Sequence, residues 1–60
     1  MDLDSWDVAL RTGEVLRVKA HGYAQDGGDY VFEALVEGRP RKRIEVLRIP
    51  ESLVGSIRGG

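Results

Sequence analysis

The side chains that could carry out acid–base or nucleophilic chemistry are few in this sequence. The chain has one histidine and no cysteine, and its aliphatic hydroxyl groups belong to Ser5, Thr12, Ser52 and Ser56. Nucleophilic catalysis needs a nucleophile beside a base that a third group orients, and none of these hydroxyls lies in a strained elbow motif. His21 falls on the strand face opposite Leu16 and Val18, which predicts an exposed residue. We therefore expect no enzymatic activity.

Two acidic stretches have the residue types of ion sites without the required spacing. Asp2, Asp4 and Asp7 resemble the start of a calcium loop, but its later glycine and its bidentate glutamate are missing. The segment 26–29 lacks the lysine and the following helix of a phosphate loop, so it is expected to be a hairpin connection. We expect no metal, no cofactor and no small-molecule ligand.

A cluster of basic residues is the sharpest candidate for an interaction surface. Arg39, Arg41, Lys42 and Arg43 lie on a loop that leads into a strand. Such a cluster could pair with nucleic-acid phosphates, but the isoelectric point of about 5.7 is low for a dedicated nucleic-acid domain. The alternative is a solvated hairpin arm that pairs with acidic strands and discourages aggregation at a sheet edge.

The charge is divided along the chain. Residues 1–37 carry eight acidic and three basic residues, a net charge of −5, whereas residues 38–60 carry six basic and two acidic residues, a net charge of +4. The two parts add to the net charge of −1. This asymmetry can mark an interaction surface, or it can cancel within a folded antiparallel sheet.

Length and composition predict one small globular domain over residues 1–60. The chain has 60 residues, of which 42% are hydrophobic and 32% charged. A chain this short buries a thin core, and without cysteine it has neither disulfides nor a zinc ribbon to stabilise it. It must fold by packing alone or gain stability by forming oligomers. Neither a signal peptide nor a membrane span is recognisable, so we expect a cytoplasmic protein.

Two runs of alternating apolar and polar residues predict a first β-hairpin. A loop of three residues that ends at Gly13 places Val8 opposite Leu16 and Trp6 opposite Val18, so that all four lie on one face. A loop of two residues would bring apolar side chains opposite charged ones, because a slip of one residue inverts every side chain. The longer loop also puts glycine in the left-handed position of a bulge.

The remaining pattern predicts further strands and one helical turn. The predicted elements are a second strand at 15–23, a turn at 25–29, strands at 30–37 and 42–49, a helical turn at 50–53 and a short strand at 54–57. In the fourth strand the apolar residues change face between Val46 and Leu47, which indicates a β-bulge or burial of both faces. The last residues, 58–60, are expected to form a frayed tail.

The segment 30–37 also fits a short helix. Phe32, Leu35 and Val36 have helical spacing, Asp29 could cap the helix and Gly38 could follow its end. We favour a strand, because Tyr-Val-Phe opens the segment with strong β-formers and the helix would have only about two turns.

The segment Ile-Pro-Glu-Ser-Leu-Val at 49–54 resembles the end of an SH3-type barrel, in which a 3₁₀ turn joins the last two strands. This resemblance implies a small antiparallel barrel. It does not carry over the binding of proline-rich peptides, because Leu53 replaces the aromatic residue that helps to line the peptide groove. The terminal Arg-Gly-Gly at 58–60 resembles the tail of ubiquitin-like carriers, whose β-grasp fold needs a helix of about three turns.

The sequence therefore predicts an all-β domain of four to five antiparallel strands, either a small SH3-like barrel or a strongly curved sheet. The expected core consists of Trp6, Val8, Leu10, Leu16, Val18, Phe32, Ala34, Ile44, Val46 and Ile57. The expected function is a non-enzymatic interaction module that binds a protein partner or itself. The alternatives are nucleic-acid binding through the basic cluster and a diglycine-tailed carrier.

Overall fold

The protein consists of short strands and one helical turn. The computed structural model describes residues 3–38 and 40–59, and its elements are β1 (Asp4–Leu10), β2 (Val15–Ala20), β3 (Gly22–Asp26), β4 (Asp29–Val36), β5 (Lys42–Pro50), the 3₁₀ helix η1 (Glu51–Leu53) and β6 (Val54–Gly59). The all-β class and the helical turn are confirmed. There are six strands rather than five, because the strand predicted at 15–23 is broken at His21.

The strands form two antiparallel sheets of three strands each. The first sheet has the order β2-β1-β6 and the second has the order β3-β4-β5. The bend at His21 leads from the edge of the first sheet directly into the second sheet. The two sheets pack against each other around one core, but in the described residues they do not close into a barrel. The predicted all-β class is therefore observed as two packed antiparallel sheets, without the closed barrel among the described residues.

The first hairpin has the predicted register. Val8 lies opposite Leu16 and Trp6 lies opposite Val18. Gly13 has a φ of 98°, and its N–H donates a hydrogen bond of 3.0 Å to the carbonyl oxygen of Leu10. Only glycine adopts this backbone conformation without strain, so the glycine at the end of the loop fixes which face of each strand enters the core.

The second hairpin turns within two residues, Gly27 and Gly28. Their φ values of 57° and 88° are those of the tight turn that suits the twist of antiparallel strands. The segment that follows is strand β4, so the helical alternative for 30–37 is wrong. β4 is the central strand of its sheet and pairs with β3 on one side and β5 on the other. These two ladders satisfy backbone groups that a short helix would leave largely unpaired.

The predicted bulge in the fourth strand is confirmed at Val46. Phe32 lies opposite Leu47, whereas the next residue of β4, Glu33, lies opposite Glu45, so that Val46 has no partner. The extra residue turns Leu47 and Ile49 toward the core. The sequence pattern had placed the core on the Ile44 side of this strand.

The core differs in membership from the predicted one and is shifted toward one end of the second sheet. Its buried cluster consists of Val8, Val18, Ala20, Phe32, Ile49 and Val54, and the half-buried residues packed against it are Trp6, Leu10, Tyr30, Leu47 and Ile57. Ala34 is also buried, as predicted. Leu16, Ile44 and Val46 were predicted to be buried, but they are 36%, 49% and 45% exposed. These three lie outside the region where the two sheets cover each other.

The end of the chain is an ordered strand as far as Gly59, which corrects the prediction of a frayed tail. Arg58 pairs with Asp7, and Gly59 pairs with Trp6. A Cβ atom at Gly59 would lie 2.2 Å from Cζ3 of the Trp6 ring. The glycine at this position therefore has a packing role, since no other residue leaves room for the indole. Gly60 lies outside the described residues.

Candidate interaction surface

The hairpin of β4 and β5 extends beyond the core. We call residues 34–46, without the undescribed Arg39, the β4–β5 arm. The register places Ala34 opposite Ile44 and Val36 opposite Lys42, all on the face that carries Phe32 into the core. None of these four belongs to the core cluster. The inner face of the arm thus continues the apolar face of the core into solvent, and Ile44 is its most exposed apolar residue.

The arm makes the molecule elongated. The principal extents are 40 × 24 × 11 Å and the radius of gyration is 12.0 Å, compared with roughly 10.4 Å for a compact chain of this length. β4 and β5 are the two longest strands, with 8 and 9 residues. The first sheet is built from strands of 6 or 7 residues, so it covers only part of the second.

The described basic residues of the predicted cluster separate onto different parts of the arm. Lys42 lies on the inner face, opposite Val36, whereas Arg43 lies on the outer face, opposite Leu35. Nη1 of Arg43 is 4.0 Å from Oε1 of Glu33. Within residues 3–38 and 40–59, Arg41 and Lys42 form no ion pair. Arg39 lies outside the described residues.

A second basic residue on the outer face, Arg48, is surrounded by carboxylates. Its guanidinium lies 3.0 Å from an oxygen of Asp29, 3.0 Å from one of Glu45 and 3.4 Å from one of Asp26. These contacts raise the pKa of Arg48 above its usual value. The largest cause is the hydrogen bond to Glu45, followed by the hydrogen bond to Asp29. This guanidinium is fully engaged with acidic groups of the same chain. No local pattern along the chain indicates this cluster, because it unites residues of three strands.

His21 is a structural residue rather than the exposed strand residue that the sequence predicted. It lies between β2 and β3, and its backbone N–H donates a hydrogen bond of 2.9 Å to the carbonyl oxygen of Glu33. Its Nδ1 accepts a hydrogen bond of 2.7 Å from the backbone N–H of Leu35. Its Nε2 is buried and has no hydrogen-bond partner among the described residues. Periodicity alone could not show this role, because the bend that creates it interrupts the alternation.

An open hollow of about 300 Å³ lies on the outer face beside this histidine. Its lining includes Ala24 and Leu35 as the apolar part and Glu33 and Arg43 as the charged part. The opposite charges of Glu33 and Arg43 balance each other, with 4.0 Å between the carboxylate oxygen and the guanidinium nitrogen. The described residues that line the hollow include no serine, threonine or cysteine.

Several classes of site lack their residues in the described part of the chain. Residues 3–38 and 40–59 hold no group of three metal-ligating side chains placed to bind an ion. The one helical segment there, η1, has three residues, so the helix that a β-grasp carrier needs is not found among them. No helix in these ranges is long and apolar enough to cross a membrane.

Comparison with known proteins adds no relative. No protein-family model matches the chain, and neither a curated protein nor a solved structure matches it.

Proposed function

We propose that the chain is a non-enzymatic protein-interaction module that associates with a second copy of itself through the inner face of the β4–β5 arm. The observation that carries the proposal is the 49% exposure of Ile44 on a face that continues the apolar core. Burying apolar area is worth about 25 cal/mol per Å². A partner that covers this face extends a core that the first sheet leaves incomplete.

The distribution of apolar residues suits a two-fold pair. Each copy offers Ile44 on its arm and Leu16 on the neighbouring strand β2, which contacts β5. In a two-fold interface a residue i of one copy meets residue j of the other, and j meets i in return. The arm of one copy can therefore lie along β2 of the other, with the same two contacts made twice.

The charge distribution also favours a second copy as the occupant. The end of the arm carries the exposed bases Arg41 and Lys42, whereas residues 1–37, which include β1, β2, β3 and all of β4, have a net charge of −5. Glu14, the residue before β2, is exposed. The basic end of the arm and the net negative charge of residues 1–37 attract two copies to each other, which raises the association rate. β2 itself carries Lys19 and Arg17, the latter paired with Asp7, so this attraction comes from the strands around β2.

The strand order supports the resemblance to SH3-type folds as part of this proposal. A first hairpin is followed by a meander of three strands, then by a 3₁₀ turn, and the last strand returns to pair with the first. Such folds serve many unrelated functions, and Leu53 at the aromatic position does not support proline-peptide binding. We also place the protein in the cytoplasm as part of the proposal.

Sedimentation equilibrium over a concentration range from micromolar to millimolar tests self-association. We expect the wild-type mass to rise with concentration toward that of a dimer, and the variant Ile44→Ser to stay monomeric. Leu53→Ser is the matched control, because Leu53 is an aliphatic residue with the same 49% exposure and lies in η1, outside both the arm and β2. A wild-type chain that is monomeric at millimolar concentration overturns the proposal, as does an equal loss of dimer in both variants.

Nucleic-acid binding is the second candidate, and the exposed Arg41 and Lys42 favour it. Against it, Arg43 and Arg48 face carboxylates of the same chain. Binding through Arg39, Arg41, Lys42 and Arg43 predicts retarded migration of RNA or DNA at about 50 mM salt and a shallower salt dependence when these residues are neutralised. Unchanged migration at that salt concentration excludes it.

A further inference from the structure

The geometry points to an acid-sensitive latch at His21, which holds the joint between the two sheets closed only while its imidazole is neutral. This inference is independent of the proposed self-association. It rests on the position of His21 at the bend and on the two nitrogen atoms of its ring.

The ring takes the place of a missing strand residue. The pairing of β3 with β4 begins at Gly22, opposite Glu33, so no residue of β3 lies opposite Leu35. The backbone N–H of Leu35 instead donates its hydrogen bond to Nδ1 of His21 at 2.7 Å. Together with the bond from the His21 N–H to the Glu33 oxygen, this contact fastens the bend to β4.

The hydrogen bond fixes the protonation of the ring. Because Nδ1 accepts, it carries no proton, so the neutral ring has its proton on Nε2. A second proton can bind only at Nδ1, where its N–H would point at the N–H of Leu35. Two donors cannot share this position, and the Nε2–H already has no acceptor among the described residues. Proton uptake therefore breaks the latch and leaves the Leu35 amide unpaired.

The charged groups around the ring do not offset this effect. Those that line the same hollow are Glu33 on β4 and Arg43 on β5. Tyr23 of β3 also borders the hollow, and its ring packs against Trp6 and Phe32. Glu33 and Arg43 pair with each other, so the negative charge of the carboxylate and the positive charge of the guanidinium cancel beside the ring. The imidazole of an unfolded chain takes up its second proton near pH 6.5. The hydrogen bond from Leu35 leaves no room for that proton on Nδ1 in the folded joint, so we expect stability to fall as pH falls below that value.

Urea unfolding at pH 7.5 and pH 5.0 measures the effect. His21→Asn is the matched control, because its carboxamide oxygen can accept from Leu35 at the position of Nδ1 and does not titrate. We expect the unfolding equilibrium constant to rise, between these pH values, by up to about 30-fold more in the wild type than in the control. His21→Phe, which keeps a ring without the acceptor, should be less stable at both pH values and show no extra pH response.

Two results would overturn the latch. One is an identical pH response of the wild type and His21→Asn. The other comes from ¹⁵N NMR of the wild-type imidazole at pH 7.5, which needs no variant to fold: we expect an unprotonated Nδ1 and a protonated Nε2, and the opposite tautomer contradicts the hydrogen bond from Leu35.

Discussion

Replacing Gly59 by alanine should destabilise the domain through a single methyl group. The added Cβ would lie 2.2, 2.6 and 2.8 Å from Cζ3, Cε3 and Cη2 of Trp6. Carbon atoms that are not bonded pack best at about 3.5–4.0 Å, so the ring or the strand must move by an ångström or more. The change is the smallest that chemistry allows at this position, which makes it a direct test of the packing.

The Trp6 ring cannot move freely. Its Nε1–H donates a hydrogen bond of 3.0 Å to the carbonyl oxygen of Ala20, and its edge contacts with Tyr23 and Phe32 have centroid separations of 5.2 and 6.2 Å. Overpacking a fixed site costs about 1–3 kcal/mol. A chain of this length has a free energy of unfolding of roughly 3–9 kcal/mol, so the loss is a large fraction of the total.

Thermal unfolding followed by circular dichroism and tryptophan fluorescence measures the loss. For a domain of this size, each kcal/mol lowers the Tm by roughly 4–8 °C, so we expect Gly59→Ala to lower the Tm by between about 4 and 24 °C. Gly22→Ala is the matched control, because a Cβ there meets no atom within 4 Å and Gly22 is not among the glycines with positive φ. It should leave stability unchanged or raise it by less than about 1 kcal/mol.

A double-mutant cycle identifies the cause. Phenylalanine at position 6 lacks the fused second ring of the indole, so in the Trp6→Phe background Gly59→Ala should cost less than in the wild type, with a coupling energy of about 0.5–3 kcal/mol. The reasoning is refuted if Gly59→Ala unfolds at the wild-type Tm, or if its cost is the same with and without the indole.

Two further predictions concern the second sheet. Deleting Val46 should preserve the fold, because Leu47 and Glu45 keep their partners Phe32 and Glu33 once the unpaired residue is gone. Deleting Arg48 should unfold the chain, because it shifts the register of the paired residues. Amide NMR spectra show whether each variant is folded, and unfolding of the Val46 deletion as well would contradict the bulge. Phe32→Ala removes a fully buried side chain and should lower the free energy of unfolding, measured by urea titration, by about 3–5 kcal/mol. Tyr23→Ala, at a residue that is 42% exposed, should lower it clearly less. Equal losses would mean that the core is not centred on Phe32.

Local signals in the sequence predicted most of the strands and turns, but not the break at His21 or the ordered end of β6. Alternation predicted the register around Val8, Gly13 predicted the loop length, and the change of parity at Val46 predicted the bulge. These features depend on residues close in the chain, where side-chain period and backbone preference act directly. The strand favoured at 30–37 is confirmed: the β-formers Tyr-Val-Phe that open it agree with its pairing to two neighbouring strands.

The candidate surface depended on information beyond the sequence. The basic cluster was recognisable, but the division of Lys42 and Arg43 between two faces follows from the register of β5. The exposure of Ile44 depends on how far the first sheet reaches over the second, and the role of His21 depends on a bend that places it against Leu35.

The sequence by itself determined that the backbone is extended, where it turns and which residues alternate, because these properties follow from steric preferences and from the period of two along a strand. Only the tertiary structure decided which apolar residues are covered, which carboxylates surround Arg48 and which glycine must lie beneath Trp6. Burial and ion pairing are properties of surfaces brought together from distant parts of the chain. The free energy of such contacts depends on distances in space that spacing along the chain does not specify.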